Sequence, residues 1–322
     1  MSCRISLAAI QEASRRIAGI AYKTPLYHSP ALSKATGAKV YLKLECYQPI
    51  RVFKIRGAAN KILQLSSDER KRGLVAASSG NHGVAVSYVA KLTGSQATIV
   101  VPTTAVEEKV GLIEEYGAKV VKEGLFHDQR FAKALEMQKT TGAVLIPPFD
   151  DPDVIAGQGT IGLEIHESLP NVDTVLVPIG GGGLISGIAT ALKNLKPDVR
   201  VFGVEPERAS SMYQSVKNGK ITQLSDTTSI ADGLATREPG KLTFDCVRQY
   251  VNEILLVGEE EIERAVFTTM KECHLIVEPS AAAAVAALLQ RLNPKKDAKI
   301  VVVVSGGNVS LKLLQTILSK YS

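Results

Sequence analysis

The chain has 322 residues, 45% of them apolar and 22% charged, and carries a net charge of +6. That length exceeds what one hydrophobic core usually holds, so two lobes are expected. Basic residues are spread along the chain, Trp is absent and aromatics reach only 5%, which argues against nucleic-acid binding and suits a small anionic ligand.

No apolar run approaches membrane-spanning length. The N-terminal MSCRISLAAIQEASRRIAGI reads as an amphipathic first helix, because charges interrupt the apolar core that a signal peptide needs, and Glu12 weighs against a transit peptide. Next come the strand KVYLKLE (39–45) and the stretch QPIRVFKIRGAAN (48–60), which runs into a helix. Lys54 falls near that helix start, where the backbone dipole disfavours a cation. Either it snorkels to water, or it is a buried amine used as a nucleophile.

Further strands are expected at LVAAS (74–78), ATIVVP (97–102), KVVKE (119–123) and AVLIP (143–147). Beyond PPFDDPD (147–153), a candidate crossing between lobes, lie TVLVPI (174–179), RVFGVE (200–205), EILLV (253–257) and KIVVVVS (299–305). Helical patterns such as HGVAVSYVAKLTG, LISGIATALKNL and PSAAAAVAALLQRL alternate with them. This is the signature of parallel α/β architecture, and near-continuous apolar strands imply sheets covered on both faces. Cys3, Cys46, Cys246 and Cys273 lie far apart and form no CxxC, as expected of reduced structural thiols in a cytosolic protein.

Three glycine-containing turns each sit between a strand and a helix, where open α/β sheets bind ligands. SSGNHG (78–83) suits a carboxylate, or is an ordinary capped turn. Four consecutive glycines, Gly180 to Gly183, cost more backbone entropy than a simple turn requires and suit a phosphate. With Glu205 ending the next strand, a nicotinamide dinucleotide is the competing ligand, although the glycines do not spell G-x-G-x-x-G. SGGN (305–308) closes the strongest strand and either meets a ligand ring or caps a helix.

Together, FKIRGA (53–58), SSGNHG, FDDPDVIAGQGTIGLEI (149–165), GGGGL and SGGN resemble the fold-type II pyridoxal-phosphate (PLP) enzymes, in particular the serine/threonine dehydratase (ammonia-lyase) and serine racemase branch. The resemblance covers nearly the whole chain. It implies a tryptophan synthase β-like α/β fold: two open twisted parallel-sheet lobes with helices on both faces. A large PLP-binding domain would comprise 1–49 and 146–322, and a small domain 50–145. Residue by residue, it makes Lys54 the Schiff-base lysine and catalytic base, with Phe53 packed beside the cofactor. Asn81 would bond the ring hydroxyl oxygen, Gly180, Gly181, Gly182 and Gly183 the phosphate, and Ser305, with Gly306 beside it, would face the pyridine nitrogen. Ser78, Ser79, Asn81 and His82 would frame the substrate carboxylate, and Asp232 with Gly233 matches an active-site Ala-Asp-Gly segment. The implied reaction is α,β-elimination of L-threonine and/or L-serine to a 2-oxo acid and ammonia, in a cytoplasmic homodimer whose substrate is a small 3-hydroxy amino acid.

Within this branch Ser79 matches the hydroxyl that racemases place on the cofactor face opposite the lysine. Serine racemase, or dehydratase of another 3-hydroxy amino acid such as 3-hydroxyaspartate, is therefore the near alternative. Phe149 is more like dehydratases. A nicotinamide-dependent oxidoreductase and a non-enzymatic ligand-binding protein are the alternatives from other classes. The Mg²⁺ or Ca²⁺ site of some relatives would use Glu205 and Ala209, but Ser211 replaces its acid. Ile50, Arg51 and Val52 stand where relatives have Thr-Gly-Ser, which argues against nucleotide activation. The chain ends soon after SGGN without the regulatory domain of biosynthetic threonine deaminases, so a catabolic role is expected.

Overall fold

The computed structural model describes residues 2–78, 80–105, 107–125 and 127–321. Its strands are β1 (Leu26–His28), β2 (Lys39–Leu44), β3 (Leu74–Ala77), β4 (Ala97–Val101), β5 (Lys119–Lys122), β6 (Val144–Leu145), β7 (Thr174–Pro178), β8 (Arg200–Pro206), β9 (Glu253–Val257) and β10 (Lys299–Val304). The first seven helices are α1 (Leu7–Arg16), α2 (Pro30–Thr36), α3 (Lys54–Leu63), α4 (Ser67–Lys71), α5 (Asn81–Thr93), α6 (Glu107–Glu115) and α7 (His127–Thr141). The rest are α8 (Pro152–Ser168), α9 (Gly183–Leu195), α10 (Ser211–Asn218), α11 (Lys241–Tyr250), α12 (Glu259–Cys273), α13 (Pro279–Gln290) and α14 (Leu311–Tyr321).

Two sheets form, as the alternating pattern predicts. The larger runs β1-β2-β10-β7-β8-β9 and is parallel except for β1; the smaller runs β5-β4-β3-β6 and is parallel throughout. Ile300 to Val304 are all buried, as a strand covered on both faces must be. Two details depart from the sequence reading. The antiparallel edge strand β1 is only three residues long, too short to show a period, and AVLIP shrinks to the two residues of β6.

Strand order decides where a ligand can sit. β2, β10 and β7 are neighbours, so the segments leaving their C-terminal ends, which carry Lys54, Ser305 and the four glycines, emerge side by side. The order reverses between β10 and β7, which opens a crevice at those ends. SSGNHG leaves β3 of the smaller sheet and starts α5.

Helix α8 is the hub between the two sheets. Pro152 opens it and the Asp151 side chain caps it, accepting from the N–H groups of Asp153 and Val154. A Cβ on Gly157 would fall 2.6 Å from the carbonyl oxygen of Arg56 in α3, and one on Gly159 would fall 3.0 Å from the Gly187 carbonyl in α9. Glycine alone lets the three helices approach this closely.

A buried ionic cluster pins α3 beside α8. The Arg56 guanidinium, 1% exposed, donates to both oxygens of Glu45 at 2.8 Å and to Glu164 at 2.6 and 2.9 Å, and also to Thr160 and the Tyr22 carbonyl. Burial alone would raise the Glu45 carboxyl, but Arg56 outweighs it and holds the group below the usual carboxylate range. Lys43 joins through Glu164, and burial lowers its amine below the ordinary lysine value.

The thiol expectation is corrected. Cys3 and Cys246 form a disulfide across a sequence separation of 243 residues. The sequence hides this, because it is α11 that brings Cys246 to the N-terminal segment, where the Cys3 N–H also donates to Gln249 Oε1 at 2.7 Å. Cys46 and Cys273 are free and buried, as expected of structural thiols.

Candidate active site

The segments singled out from sequence line one cavity of about 1240 Å³ between the two sheets. Lys54 is the first residue of α3, and its Nζ donates to the Pro148 carbonyl at 2.6 Å. Burial lowers its pKa to about 8, with the Glu278 carboxylate opposing that fall. Phe53 places its ring 5.3 Å from the Lys54 Nζ, and its N–H donates to the Ser305 carbonyl at 3.0 Å. Val52 pairs with Gly306 in an antiparallel bridge, so the lysine segment is stitched to the end of β10.

Upstream, Arg51 keeps a left-handed backbone (φ 59°), a conformation that favours glycine. Its N–H donates to the Gln48 carbonyl at 2.8 Å, and its carbonyl accepts from Gly307 at 2.9 Å. The replacement of a glycine therefore leaves the turn intact while adding a cation at the cavity wall.

Opposite, the four glycines form a bare cradle at the start of α9. Gly182 sits at φ 93°. A Cβ on Gly181 would strike the Phe149 ring, and one on Gly182 would fall 2.6 Å from Met212 Cε and 2.8 Å from Thr243 Cβ. Thr243 Oγ1 donates to the Gly181 carbonyl at 2.7 Å and fixes the turn, whose backbone N–H groups at the start of α9 suit an anion. Asp150 fastens this wall: its carboxylate accepts from the N–H groups of Lys241, Leu242 and Thr243 at the start of α11.

The remaining predicted residues meet between these two ends. Asn81, first in α5, donates from Nδ2 to both Glu278 oxygens at 2.9 Å and accepts at Oδ1 from Asn308 Nδ2 at 2.9 Å. Ser305 is 2% exposed, and Ser78, Asp232 and Gly233 line the same cavity. His82 is on the wall, but its Nε2 lies 2.9 Å from the Ile146 carbonyl and must donate there, so that nitrogen is directed away from a substrate. Ser79 lies outside the described residues.

Glu205 is engaged elsewhere, which bears on two ligands considered from the sequence. Glu205 and Ala209 do not assemble a divalent-cation site. The Glu205 oxygens accept from the backbone N–H groups of Met212 at 3.0 Å and Tyr213 at 2.7 Å, while the Ser211 Oγ, where an acid would be needed, is buried with no hydrogen-bond partner. Among the described residues no group of three His, Cys, Asp or Glu could hold a metal ion. Mg²⁺ or Ca²⁺ needs several anionic or carbonyl oxygens, and these residues do not fit one. The same burial, with no exposed surface left, removes Glu205 from the ribose role that a nicotinamide dinucleotide would need.

Glu278 belongs to none of the sequence motifs that mark the site. In the structure it is 5% exposed and faces Asn81 within the cavity. The available signal was its place just before Pro279 at a helix start, which looks like an ordinary cap.

The residues present fit PLP. A half-buried amine with a depressed pKa faces a glycine cradle packed too closely for a Cβ at Gly181 or Gly182, and a polar amide and a buried hydroxyl lie between them. Known proteins agree. Residues 17–306 match the family described as "Pyridoxal-phosphate dependent enzyme". The chain is 45% identical to the L-threonine ammonia-lyase of Thermotoga maritima, over 98% of this chain and 79% of that protein. It superposes on maize serine racemase with a TM-score of 0.93 at 38% identity, covering 98% of both chains. The processed form of threonine deaminase isoform 2 from Solanum lycopersicum superposes equally well, TM-score 0.93, at 35% identity over 98% of this chain and 93% of that one.

Proposed function

Because the chain belongs to the pyridoxal-phosphate dependent enzyme family, we propose that it is an ammonia-lyase that converts L-threonine and/or L-serine to the corresponding 2-oxo acid and ammonia. The convergence of Lys54, Asn81, Ser305 and the glycine cradle on one cavity carries this reading.

When bound, PLP supplies an electron sink for negative charge at the substrate Cα. The protein's own contributions follow from the geometry. An amine with a pKa of about 8 is roughly a tenth neutral at pH 7, whereas an ordinary lysine is neutral to about three parts in ten thousand. Lys54 is thus prepared to attack a carbonyl carbon and later to take the Cα proton. The cradle N–H groups would hold the phosphate. Ser305, a neutral hydroxyl, does not protonate the ring nitrogen, so the sink is moderate and loss of the β-hydroxyl is favoured over longer-lived carbanion chemistry. Ser78 and Ser79 would receive the substrate carboxylate, with Asp232 and Gly233 on the other side.

Serine racemase activity is the second reading, favoured by the superposition on maize serine racemase and by the serine at position 79. Assaying 2-oxo acid and D-serine together from L-serine separates the two. Pyruvate in excess is expected; D-serine in excess that disappears selectively in Ser79→Ala would sink the lyase assignment. We read residues 1–49 with 146–322 as the large lobe and 50–145 as the small one, and the division of strands between the two sheets supports this. A cytoplasmic homodimer completes the reading. Exposed Tyr22, Tyr47, Ile276 and Leu311 are available to a second subunit, which sedimentation would detect.

A further inference from the structure

Glu278 occupies a place that the reading above leaves without a task. It stands at the head of α13, and its N–H donates to the Gly306 carbonyl at 3.1 Å. A Cβ on Gly306 would lie 2.5 Å from Glu278 Oε1, so the glycine makes room for the carboxylate. Its two oxygens accept from Asn81 Nδ2. A carboxylate only accepts, so the Asn81 amide must turn its nitrogen this way. At its other end, Asn81 Oδ1 is held by Asn308 Nδ2, which also donates to the Ile50 carbonyl at 3.1 Å. Asn81 is therefore fixed at both ends by residues next to the lysine segment.

The other charged groups around Lys54 are placed differently. Within α3, Arg56 is matched by Glu45 and Glu164. Among the acids of the cavity wall, Asp150 caps α11, Asp232 sits in the turn beside the glycine cradle, and Glu238 is exposed in the segment leading to α11. The wall cations Arg51, Arg130, Arg237 and Lys241 come from three separate segments, and His82 is committed to Ile146.

We propose that Glu278 is a positioning residue for the Lys54 chemistry: its carboxylate fixes the Asn81 amide and sets a negative charge against the amine, so that Lys54 can keep the proton it takes from the substrate. In that step the Cα–H bond breaks, the proton joins the Lys54 lone pair to give an ammonium, and the electron pair remains on the substrate side. The new cation forms in a buried place that disfavours it, and a fixed carboxylate offsets that penalty. The same charge slows the earlier step, which needs the amine neutral, so Glu278 acts with opposite sign on the two halves of the reaction.

This rests on Lys54 as the cofactor lysine, and the test keeps the two ideas apart. Cofactor-free protein is mixed with PLP across a pH series and reduced with borohydride, and the Lys54 peptide is quantified by mass spectrometry. In Glu278→Gln, which keeps an acceptor for Asn81 and loses the charge, the labelling midpoint is expected to fall by about one pH unit. Its kcat for elimination should drop about ten- to a hundredfold with KM nearly unchanged. Glu278→Asp, which keeps the charge, should retain the wild-type midpoint and guards against a mere folding defect. An unmoved midpoint in Glu278→Gln, or the same shift in both variants, would overturn the proposal. Wild-type protein without label on Lys54 would overturn the cofactor-lysine reading, and the proposal with it.

Discussion

Around Lys54 the cavity is walled by side chains that carry charge, polarity or a ring: Phe53, Asn81 and Glu278, with the Arg56 cluster behind. Around Gly180 to Gly183 it is walled by backbone, with Phe149, Met212 and Thr243 packed where side chains would otherwise be. The two ends have different tasks. An amine that must change protonation state needs its pKa set by burial and neighbouring charge. A phosphate keeps its charge throughout, and oriented N–H groups suffice to hold it. One end is tuned by composition, the other by the absence of composition.

Substitutions can break this contrast. The largest effect is expected for Lys54→Ala, which removes both nucleophile and base. Elimination should fall by about a thousandfold or more, and the reduced cofactor adduct should vanish from the peptide map. Gly181→Val comes next, since its side chain would meet the Phe149 ring; PLP affinity should drop by about a hundredfold, read by absorbance titration, while the Lys54 midpoint stays put.

Arg56→Leu tests the lysine end from behind. It leaves Glu45 and Glu164 without their guanidinium, and removing one partner of a buried ion pair costs about 3–5 kcal/mol, measurable by denaturant unfolding. On the cradle side, Cys3→Ser releases the tether on α11, the helix that carries Thr243. Loss of a native disulfide costs roughly 2–5 kcal/mol, and wild-type protein with reductant should show the same drop in Tm. Ser211→Asp should have the smallest effect, restoring an acid beside Glu205. Divalent cation should then raise its Tm by about a degree or two, with no change in the wild type.

The pH dependence separates the ends as well. The Lys54 pKa is about 8 in the folded protein and ordinary when unfolded, so between about pH 8 and 10.4 the unfolded chain binds more protons. This lysine's contribution to the stability of cofactor-free protein should therefore rise with pH across that window, and flatten in Lys54→Met.

How much of this was legible in advance depended on what each residue needs. The four glycines and the buried β10 announce themselves locally, through backbone entropy and unbroken apolarity, and the strand forms where that apolarity predicts it. For Lys54 the neighbours and the helix start left two readings, a snorkelling cation or a buried amine, and the fold places it on the cavity wall. Glu278, the disulfide and the Asp150 cap on α11 involve partners 197, 243 and about 90 residues away, and no local pattern carries such distances. Glu205 teaches the reverse. Glu205 and Ala209 occupy the expected positions, yet the start of α10 has taken the carboxylate for itself.

One consequence follows from α8. Helices α3 and α9 bear on it at Gly157 and Gly159, only two residues apart. The spacing of the helices that carry the lysine and follow the cradle is therefore set by the girth of a single helix. The cavity works as a gauge: pyridoxal lacking its phosphate would reach the lysine and leave the far jaw open, and a longer aldehyde would fail to seat. Loosening that gauge, by widening α8 at either glycine, is the most direct way to change which carbonyl compound the protein will carry.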